Sequence, residues 1–335
     1  MKQALYFKKL KDKKVQCQLC PRLCRLKPEE IGNCRARKNI DGKLFSLVYG
    51  KSVSAAVDPI EKKPLFHFLP GTSAYSIGTT GCNLHCLHCQ NWETSQGDVG
   101  EYQVKELPPE KVVEEAVNNG CSSIAFTYNE PTIFYEYALD TAKLAKKKGL
   151  KCVIVSNGFI NKEPLEKWCK YIDAANIDLK AFDDKFYRKT TTAWLKPALE
   201  SLKILKEKGV WLEITYLIIP TLNDNLKKIK EMCEWIKNNL GNDVPLHFNA
   251  FYPCYELKDV EPTPVETLVK AREVAIQAGL NFVFVGNVVE EDFLSTYCSK
   301  CKSLLIERSA GYGAEVKNLE KGKCGECGER VEGIW

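Results

Sequence analysis

The 335-residue chain lacks several features that would settle its class at once. No apolar run reaches the ~18–20 residues that a membrane-spanning helix needs, so no membrane association is expected. The opening MKQALYFKKLKDKK is charged throughout, with neither an apolar h-region nor a small-residue cleavage site, so we expect no secretory leader and a cytoplasmic location. Short-period repeats and low-complexity tracts are also missing, which argues against a repeat array. Charge of one sign is in short supply: 48 Lys and Arg against 43 Asp and Glu leave +5, too little to imply a nucleic-acid partner. Hydrophobic residues at 44% and charged residues at 27% exclude wholesale disorder, and the length allows two domains or one large unit with appendages.

What is present in excess is cysteine. Sixteen are too many for an ordinary cytosolic enzyme, yet the chain is far too long for a small disulfide scaffold. In a reducing compartment, clustered cysteines more often hold metal. They fall into three groups: Cys17, Cys20, Cys24 and Cys34; the triplet Cys82, Cys86 and Cys89; and Cys298, Cys301, Cys324 and Cys327.

Between the second and third groups, strand-like and helix-like segments alternate. Strands are expected over 74–80, 122–128, 152–156, 174–179, 211–219, 245–251 and 281–285, where apolar and β-branched runs such as CVIVS and FVFV suit a parallel sheet covered on both faces. Amphipathic stretches between them end on Gly120, Gly149 and Gly279, a common helix stop. The period of roughly 30 residues is that of a βαβ unit, which predicts a parallel α/β barrel or open sheet.

The triplet reads C-x3-C-x2-C just past the first of these strands. Three thiolates so placed can hold three irons of a [4Fe–4S] cluster and leave the fourth iron open, the property that separates catalytic metal centres from closed structural ones. The alternative is a zinc knuckle with His85 or His88 as fourth ligand. Polar motifs follow the later strands, where a parallel barrel gathers its active site: Tyr128-Asn129-Glu130-Pro131, Asn157-Gly158, Asp178-Leu179-Lys180, Thr221–Asn225 and a loop over 252–260 carrying Cys254. Each has a plain structural reading as well: a turn, a strand-end ion pair, or a helix start with proline in its first turn. Cys254 reads first as an ordinary free thiol and second as a thiol facing substrate.

Cys298-x2-Cys301-x22-Cys324-x2-Cys327 has the spacing of a four-cysteine zinc ribbon, a structural staple for a short tail or a surface for a partner. Cys17-x2-Cys20-x3-Cys24-x9-Cys34 departs from the ferredoxin spacing; zinc is the first reading and a second iron–sulfur cluster the alternative.

The triplet after the first strand resembles the radical S-adenosylmethionine (SAM) superfamily. In that family the methionine moiety of SAM chelates the open iron, and one electron from the cluster cleaves the S–C5′ bond to give a hydrogen-abstracting 5′-deoxyadenosyl radical. The resemblance implies an adenine contact near His88. It also implies that Glu130, in a segment similar to the family's Gly-Gly-Glu-Pro, meets the SAM amino group. Tyr128 and Asn129 stand where that segment has glycines, and of the two Asn129 is the residue that tolerates φ > 0. Asn157, Asp178 and Lys180 match motifs of the glycyl-radical activating branch, with Lys180 near the SAM carboxylate, and His247 is a candidate ribose contact.

With its leading CQLCPRLC, CNLHCLHCQNW, TYNEPT and terminal Gly333-Ile334-Trp335, the whole chain resembles the radical SAM enzymes of the AmmeMemoRadiSam system, relatives of pyruvate formate-lyase activating enzyme. The implied fold is a partial parallel (β/α)6-type barrel over 71–290, flanked by Cys-rich metal-binding segments at 1–70 and 291–335. The implied cofactors are a [4Fe–4S] cluster and SAM, with zinc at the ribbon; the implied partners are a ferredoxin- or flavodoxin-type electron donor and AMME-domain and Memo-type proteins. A macromolecular substrate is expected, with a small metabolite as the alternative; a metal-ribbon binding module without chemistry is the reading from another class. Two zinc sites at −2 each and a cluster on three thiolates at −1 would cancel the +5.

Overall fold

The computed structural model describes residues 1–288 and 293–335. Its centre is one eight-stranded sheet: β1 (Ser54–Pro59), β2 (Ser73–Gly78), β3 (Ser123–Phe126), β4 (Lys151–Ser156), β5 (Ala174–Asp178), β6 (Trp211–Ile218), β7 (Leu246–Ala250) and β8 (Val283–Gly286). Strands lie in chain order; β2 to β8 run parallel, and β1 pairs antiparallel with β2 from Ser54↔Gly78 to Pro59↔Ser73. The expected parallel α/β sheet is present, with each strand within a few residues of its expected bounds. The antiparallel edge strand was not expected. It precedes residue 71, where the sequence placed the start of the barrel, and the proposed boundary at 290/291 lies outside the described residues.

Helices α1 (Pro109–Asn118), α2 (Tyr135–Lys147), α3 (Lys162–Trp168), α4 (Leu195–Glu207), α5 (Leu226–Leu240) and α6 (Val265–Gln277) connect the parallel strands. Each lies in a crossover connection of the kind parallel strands require. Gly120 and Gly149, just past α1 and α2, adopt φ of 64° and 75°, the left-handed turn that ends a helix without a Cβ penalty. No helix among the described residues is long and apolar enough to cross a membrane.

The sheet has two chemically different faces. Ile124, Ile154, Ala175, Ile214 and Phe248 belong to the large core shared with the helices. The alternate positions carry Asn176, Glu213, Thr215 and His247, all buried yet polar. A run such as WLEITYLI is therefore two interleaved patterns, apolar toward the helices and polar toward the interior. Segment 60–69 plugs the end of that interior nearest the strand starts, where Ile60, Leu65 and Phe68 meet Ala74, Ala125, Val153 and Ala174. The C-terminal tail seals it: Phe68 bridges to Ile334, the Ile334 amide donates to the His67 carbonyl at 2.8 Å, and the Trp335 ring lies 5.2 Å from that of His67.

Candidate functional site

A cavity of about 600 Å³ opens at the C-terminal ends of the parallel strands, within the size range of small-molecule sites. Cys82, Cys86, His88 and Cys89 form one wall, and Tyr128, Asn129, Glu130, Asn157, Asp178, Lys180 and His247 also face it. The structure thus brings together every residue that the sequence nominated for the cluster and for SAM.

The three cysteines sit on the loop after β2, and the surrounding bonds explain its shape. Asn83, fully buried, donates through Nδ2 to the Phe159 carbonyl at 2.8 Å and accepts from Asn157 Nδ2 at 3.0 Å. The Asn157 amide group also points at Cys82 Sγ, 3.8 Å away. His85 and Leu87 donate their backbone N–H groups to Thr191 and Thr190, and the Glu256 amide donates to the Leu87 carbonyl. The 252–260 loop, with Cys254, therefore lies against the cluster loop. Cys254 is half-buried, and burial, with a smaller contribution from Cys89, raises its thiol pKa.

Burial pushes the thiols of Cys82, Cys86 and Cys89 upward, Cys86 to about 12, despite the opposing pull of Lys180 on Cys86 and Cys89. Thiols this buried ionise only against a metal's own charge. Among the described residues the tight single-ion grouping is formed by the four ribbon cysteines and not by this triplet. His85 is no ligand: Nδ1 lies 2.5 Å from Gln96 Oε1 and Nε2 3.0 Å from Asn33 Oδ1. Both ring nitrogens are thus occupied, which weighs against His85 as the fourth ligand of a zinc knuckle. His88 stays neutral because burial, with Lys180 adding to it, depresses its pKa to about 3, and its Nδ1 is buried without a partner among the described residues. An orphaned imidazole nitrogen beside the three cysteines fits a ligand in this cavity.

Beyond the cysteines, several nominated residues do structural work. Glu130 Oε1 accepts from the Thr132 amide and the Ser156 hydroxyl, and Oε2 accepts from the Asn157 amide, each at 2.8 Å. Three of roughly four acceptor positions are taken, so Glu130 first of all ties the end of β3 to the end of β4. Asn129 Oδ1 accepts from the Thr79 amide and Nδ2 donates to the Gly81 carbonyl at 2.7 Å, fixing the turn before Cys82. The left-handed residue is Tyr128 at φ 68°, not Asn129. Asn129 is held by its side-chain bonds, and Tyr128 is locked by its own: its hydroxyl donates to Asp58 Oδ2 at 2.7 Å, Lys63 Nζ lies 4.9 Å from its ring, and Asn91 Nδ2 donates to its carbonyl. Asp58 sits on β1, the strand the sequence did not reveal.

Asp178 and Lys180 pair at 2.7 Å. Burial works against the Lys180 ammonium, but Asp178 and the Cys86 and Cys89 thiols outweigh it and raise its pKa. It is a cation held at the cavity floor, as a carboxylate-bearing ligand requires. His247 is committed: its Nε2 lies 2.7 Å from Glu213 Oε2, and its ring packs edge-on to Phe66 at 4.7 Å.

The sequence missed the far wall. Arg308, Ser309 and Tyr312, from the C-terminal segment, line the same cavity, together with Asn249 and Asn287 at the ends of β7 and β8. Buried Arg308 donates from Nη1 to Thr296 Oγ1 at 2.8 Å and from Nη2 to the Phe66 carbonyl, which docks the segment on the sheet. No local signal in the sequence connects these residues to a site built mostly before position 250.

Cys298, Cys301, Cys324 and Cys327 have ligand atoms all within 4.8 Å of one another, with Sγ–Sγ distances of 3.6 Å for Cys298–Cys327 and Cys301–Cys324. A zinc ion with Zn–S of about 2.3 Å has a tetrahedral edge of about 3.8 Å, so the residues present fit it. Hydrogen bonding from Ser303 holds Cys301 down to about 6, so this thiolate is available at neutral pH.

Comparisons with known proteins agree with this geometry. The family model for the radical SAM superfamily matches residues 76–236. An uncharacterized protein of Methanocaldococcus jannaschii is 46% identical over 334 residues, 99% of each chain. Pyruvate formate-lyase 1-activating enzyme of Escherichia coli is 24% identical over 221 residues, 61% of this chain and 89% of that protein. Among solved structures, Streptococcus suis SuiB bound to S-adenosylmethionine shares the fold, with a TM-score of 0.51 and 16% identity over 68% of this chain and 53% of that one. The chain therefore forms one family with the M. jannaschii protein, carries a radical SAM domain and is related to the pyruvate formate-lyase activating enzymes.

Proposed function

We propose that the protein is a radical SAM enzyme that binds a [4Fe–4S] cluster on Cys82, Cys86 and Cys89 and abstracts hydrogen from a macromolecular substrate. The observation that carries this reading is the convergence of the three buried cysteines, the Lys180 ammonium and the unpartnered His88 Nδ1 on one cavity. The cluster with SAM supplies a one-electron cleavage that yields the 5′-deoxyadenosyl radical. The protein's own residues do the rest. Lys180 receives the SAM carboxylate, His88 approaches the adenine, and His247 lies near the ribose. The spare acceptor capacity of Glu130 receives the amino group, with Tyr128, Asn129, Asn157 and Asp178 holding the cradle. Arg308, buried, and Tyr312 complete the cavity wall.

A macromolecular substrate is supported by aromatic side chains beside the cluster loop. Trp92, 41% exposed, stacks on Tyr255 with ring centroids 5.2 Å apart, and Tyr252, 50% exposed, donates its hydroxyl to the carbonyl of Asn287, a cavity residue. Such surfaces suit a bound polypeptide or nucleotide segment that inserts one residue. The C-terminal four cysteines hold a structural zinc ion in this reading, the barrel unit includes β1 and the 60–69 plug, the donor is of ferredoxin or flavodoxin type, and AMME-domain and Memo-type proteins are the partners its resemblance implies in the cytoplasm.

The test is anaerobic reconstitution, dithionite reduction and assay of 5′-deoxyadenosine. Formation by the wild type and none by Cys86→Ala, at unchanged zinc content, is the expected result; no product from a fully iron-loaded wild type overturns the reading. With deuterated SAM and cell extract, label recovered in the macromolecular fraction supports the substrate class, and label confined to small molecules replaces it with the metabolite alternative.

A further inference from the structure

The N-terminal cysteines take no part in the function described so far. We propose that Cys17, Cys20, Cys24 and Cys34 hold a second iron–sulfur cluster, placed to pass an electron to the cluster on Cys82, Cys86 and Cys89. The relay rests on the function proposed above; the site does not.

All four cysteines line one small apolar-walled cavity between the N-terminal strands and the sheet. Zinc, the reading favoured by spacing alone, calls for the compact arrangement seen in the C-terminal group. Among the described residues that group is the one set of three or more ligand atoms gathered tightly enough for a single ion. The N-terminal cysteines share a cavity without forming such a set, and this suits a multi-iron group with bridging sulfides.

Arg37 provides an independent sign of a missing anion. It is 2% exposed and lines the cavity. Its Nη2 pairs with Glu136 Oε2 at 2.5 Å, but Nε and Nη1 have no partner among the described residues. Guanidinium can only donate, and leaving two of its N–H groups buried and unmet is costly. Thiolates and inorganic sulfides are the acceptors this position lacks. Backbone N–H groups of Leu19, Arg22 and Ala36 already donate to Cys17, Cys20 and Cys34, as iron–sulfur sites commonly require.

The two sites adjoin. The Cys34 carbonyl packs so closely on Gly81 that a Cβ there would meet it at 2.2 Å, and Gly81 directly precedes Cys82. Arg22, two residues past Cys20, donates through Nε to the Asn83 carbonyl at 2.5 Å. A short covalent and hydrogen-bonded path thus links the groups. Apart from buried Arg37, residues 1–45 carry twelve Lys and Arg against four Asp and Glu. That surface attracts an acidic one-electron donor. The balance is simple: the reduced donor gives one electron to the N-terminal cluster, which returns to its oxidised state as it reduces the barrel cluster, with no bond or proton changing hands.

The test uses full-length protein with Cys82→Ala, Cys86→Ala and Cys89→Ala combined, reconstituted anaerobically. We expect about four irons per chain, visible charge-transfer absorption and an EPR signal on reduction. A variant without iron but with two zinc ions per chain overturns the site, and does so without reference to SAM chemistry. Cys24→Ser in the otherwise native protein is the check on folding: it should lose about half the iron at unchanged far-UV circular dichroism, and full retention overturns the assignment. For the relay, Cys20→Ser should lower the ratio of flavodoxin-driven to dithionite-driven 5′-deoxyadenosine formation by about an order of magnitude. An unchanged ratio refutes the relay.

Discussion

Acidification should release a clamp built around His67, and the size of the effect follows from its surroundings. The ring is fully buried. Its Nδ1 lies 2.9 Å from the Glu332 carbonyl, so Nδ1 carries the proton. Its Nε2 lies 3.3 Å from Thr296 Oγ1, an oxygen that accepts from Arg308, so the hydroxyl donates to Nε2. One neutral tautomer therefore joins the plug under the sheet to the C-terminal segment and tail. A second proton on Nε2 would oppose a donor beside a guanidinium. Burial pushes the pKa down to about 4; the Glu213 carboxylate and Glu332 carbonyl oppose the shift, and Arg308 and His247 add to it. The unfolded histidine binds a proton below about 6.5, and between these values the unfolded state holds more protons, so stability falls as pH falls. At about 1.4 kcal/mol per pH unit, the loss is about 2 kcal/mol by pH 5 and about 3 kcal/mol by pH 4. Urea unfolding of wild type and His67→Asn, which keeps a donor near Nδ1 and cannot titrate, measures it between pH 7 and 5. Wild type should lose about 2 kcal/mol more than the variant over that span. Parallel curves would refute the assignment of a neutral, destabilised imidazole.

Other perturbations bear on the site and its supports. Asn157→Ala removes the bonds that orient Asn83 and Cys82 and should cut 5′-deoxyadenosine formation by about tenfold or more at constant circular dichroism, read in the dithionite-driven assay. Tyr128→Gly restores a residue at ease with φ 68° and relieves about 1–2 kcal/mol, but forfeits the hydroxyl bond to Asp58 and the ring contact with Lys63; a net loss of about 2 kcal/mol is expected from urea midpoints. Glu136→Ala leaves the Arg37 guanidinium without its carboxylate and the Leu5 amide without its acceptor, and should cost about 3–5 kcal/mol in the same assay.

The parallel strands were legible because CVIVS, LEITYLII and FVFV are apolar runs of strand length, and the cluster triplet was legible because its spacing is local. Strand β1 was not, because SAAVDP is an edge strand with Val57 at the surface and Asp58 turned inward to Lys63 and Tyr128. Its role shows only once Tyr128, seventy residues later, needs a hydroxyl acceptor. The left-handed residue was misplaced for a related reason: backbone propensity favours Asn129, but side-chain bonds to Thr79 and Gly81 hold that residue and transfer the turn to Tyr128. Arg308 and Tyr312 escaped notice because contact with the cavity depends on docking through Thr296 and Phe66.

The cysteine groups show where residue spacing stops being informative. C-x2-C counts backbone steps and says nothing about how far apart two loops hold their sulfurs. In the C-terminal group the hairpin of Leu319–Glu320 and Lys323–Cys324 carries the second knuckle, whose sulfurs lie 3.6 Å from those of the first, a spacing that fits a single ion. In the N-terminal group, Cys17 is fixed by the sheet Phe7–Lys9, Val15–Cys17 and Arg25–Leu26, whereas Cys34 is fixed by its carbonyl against Gly81. Two independent anchors set that opening, and Arg37 enters it with two free donors. Spacing favours zinc at both ends of the chain; the close-set sulfurs agree with it at the C-terminal end, and the wider placement beside the barrel is what the proposed second cluster rests on.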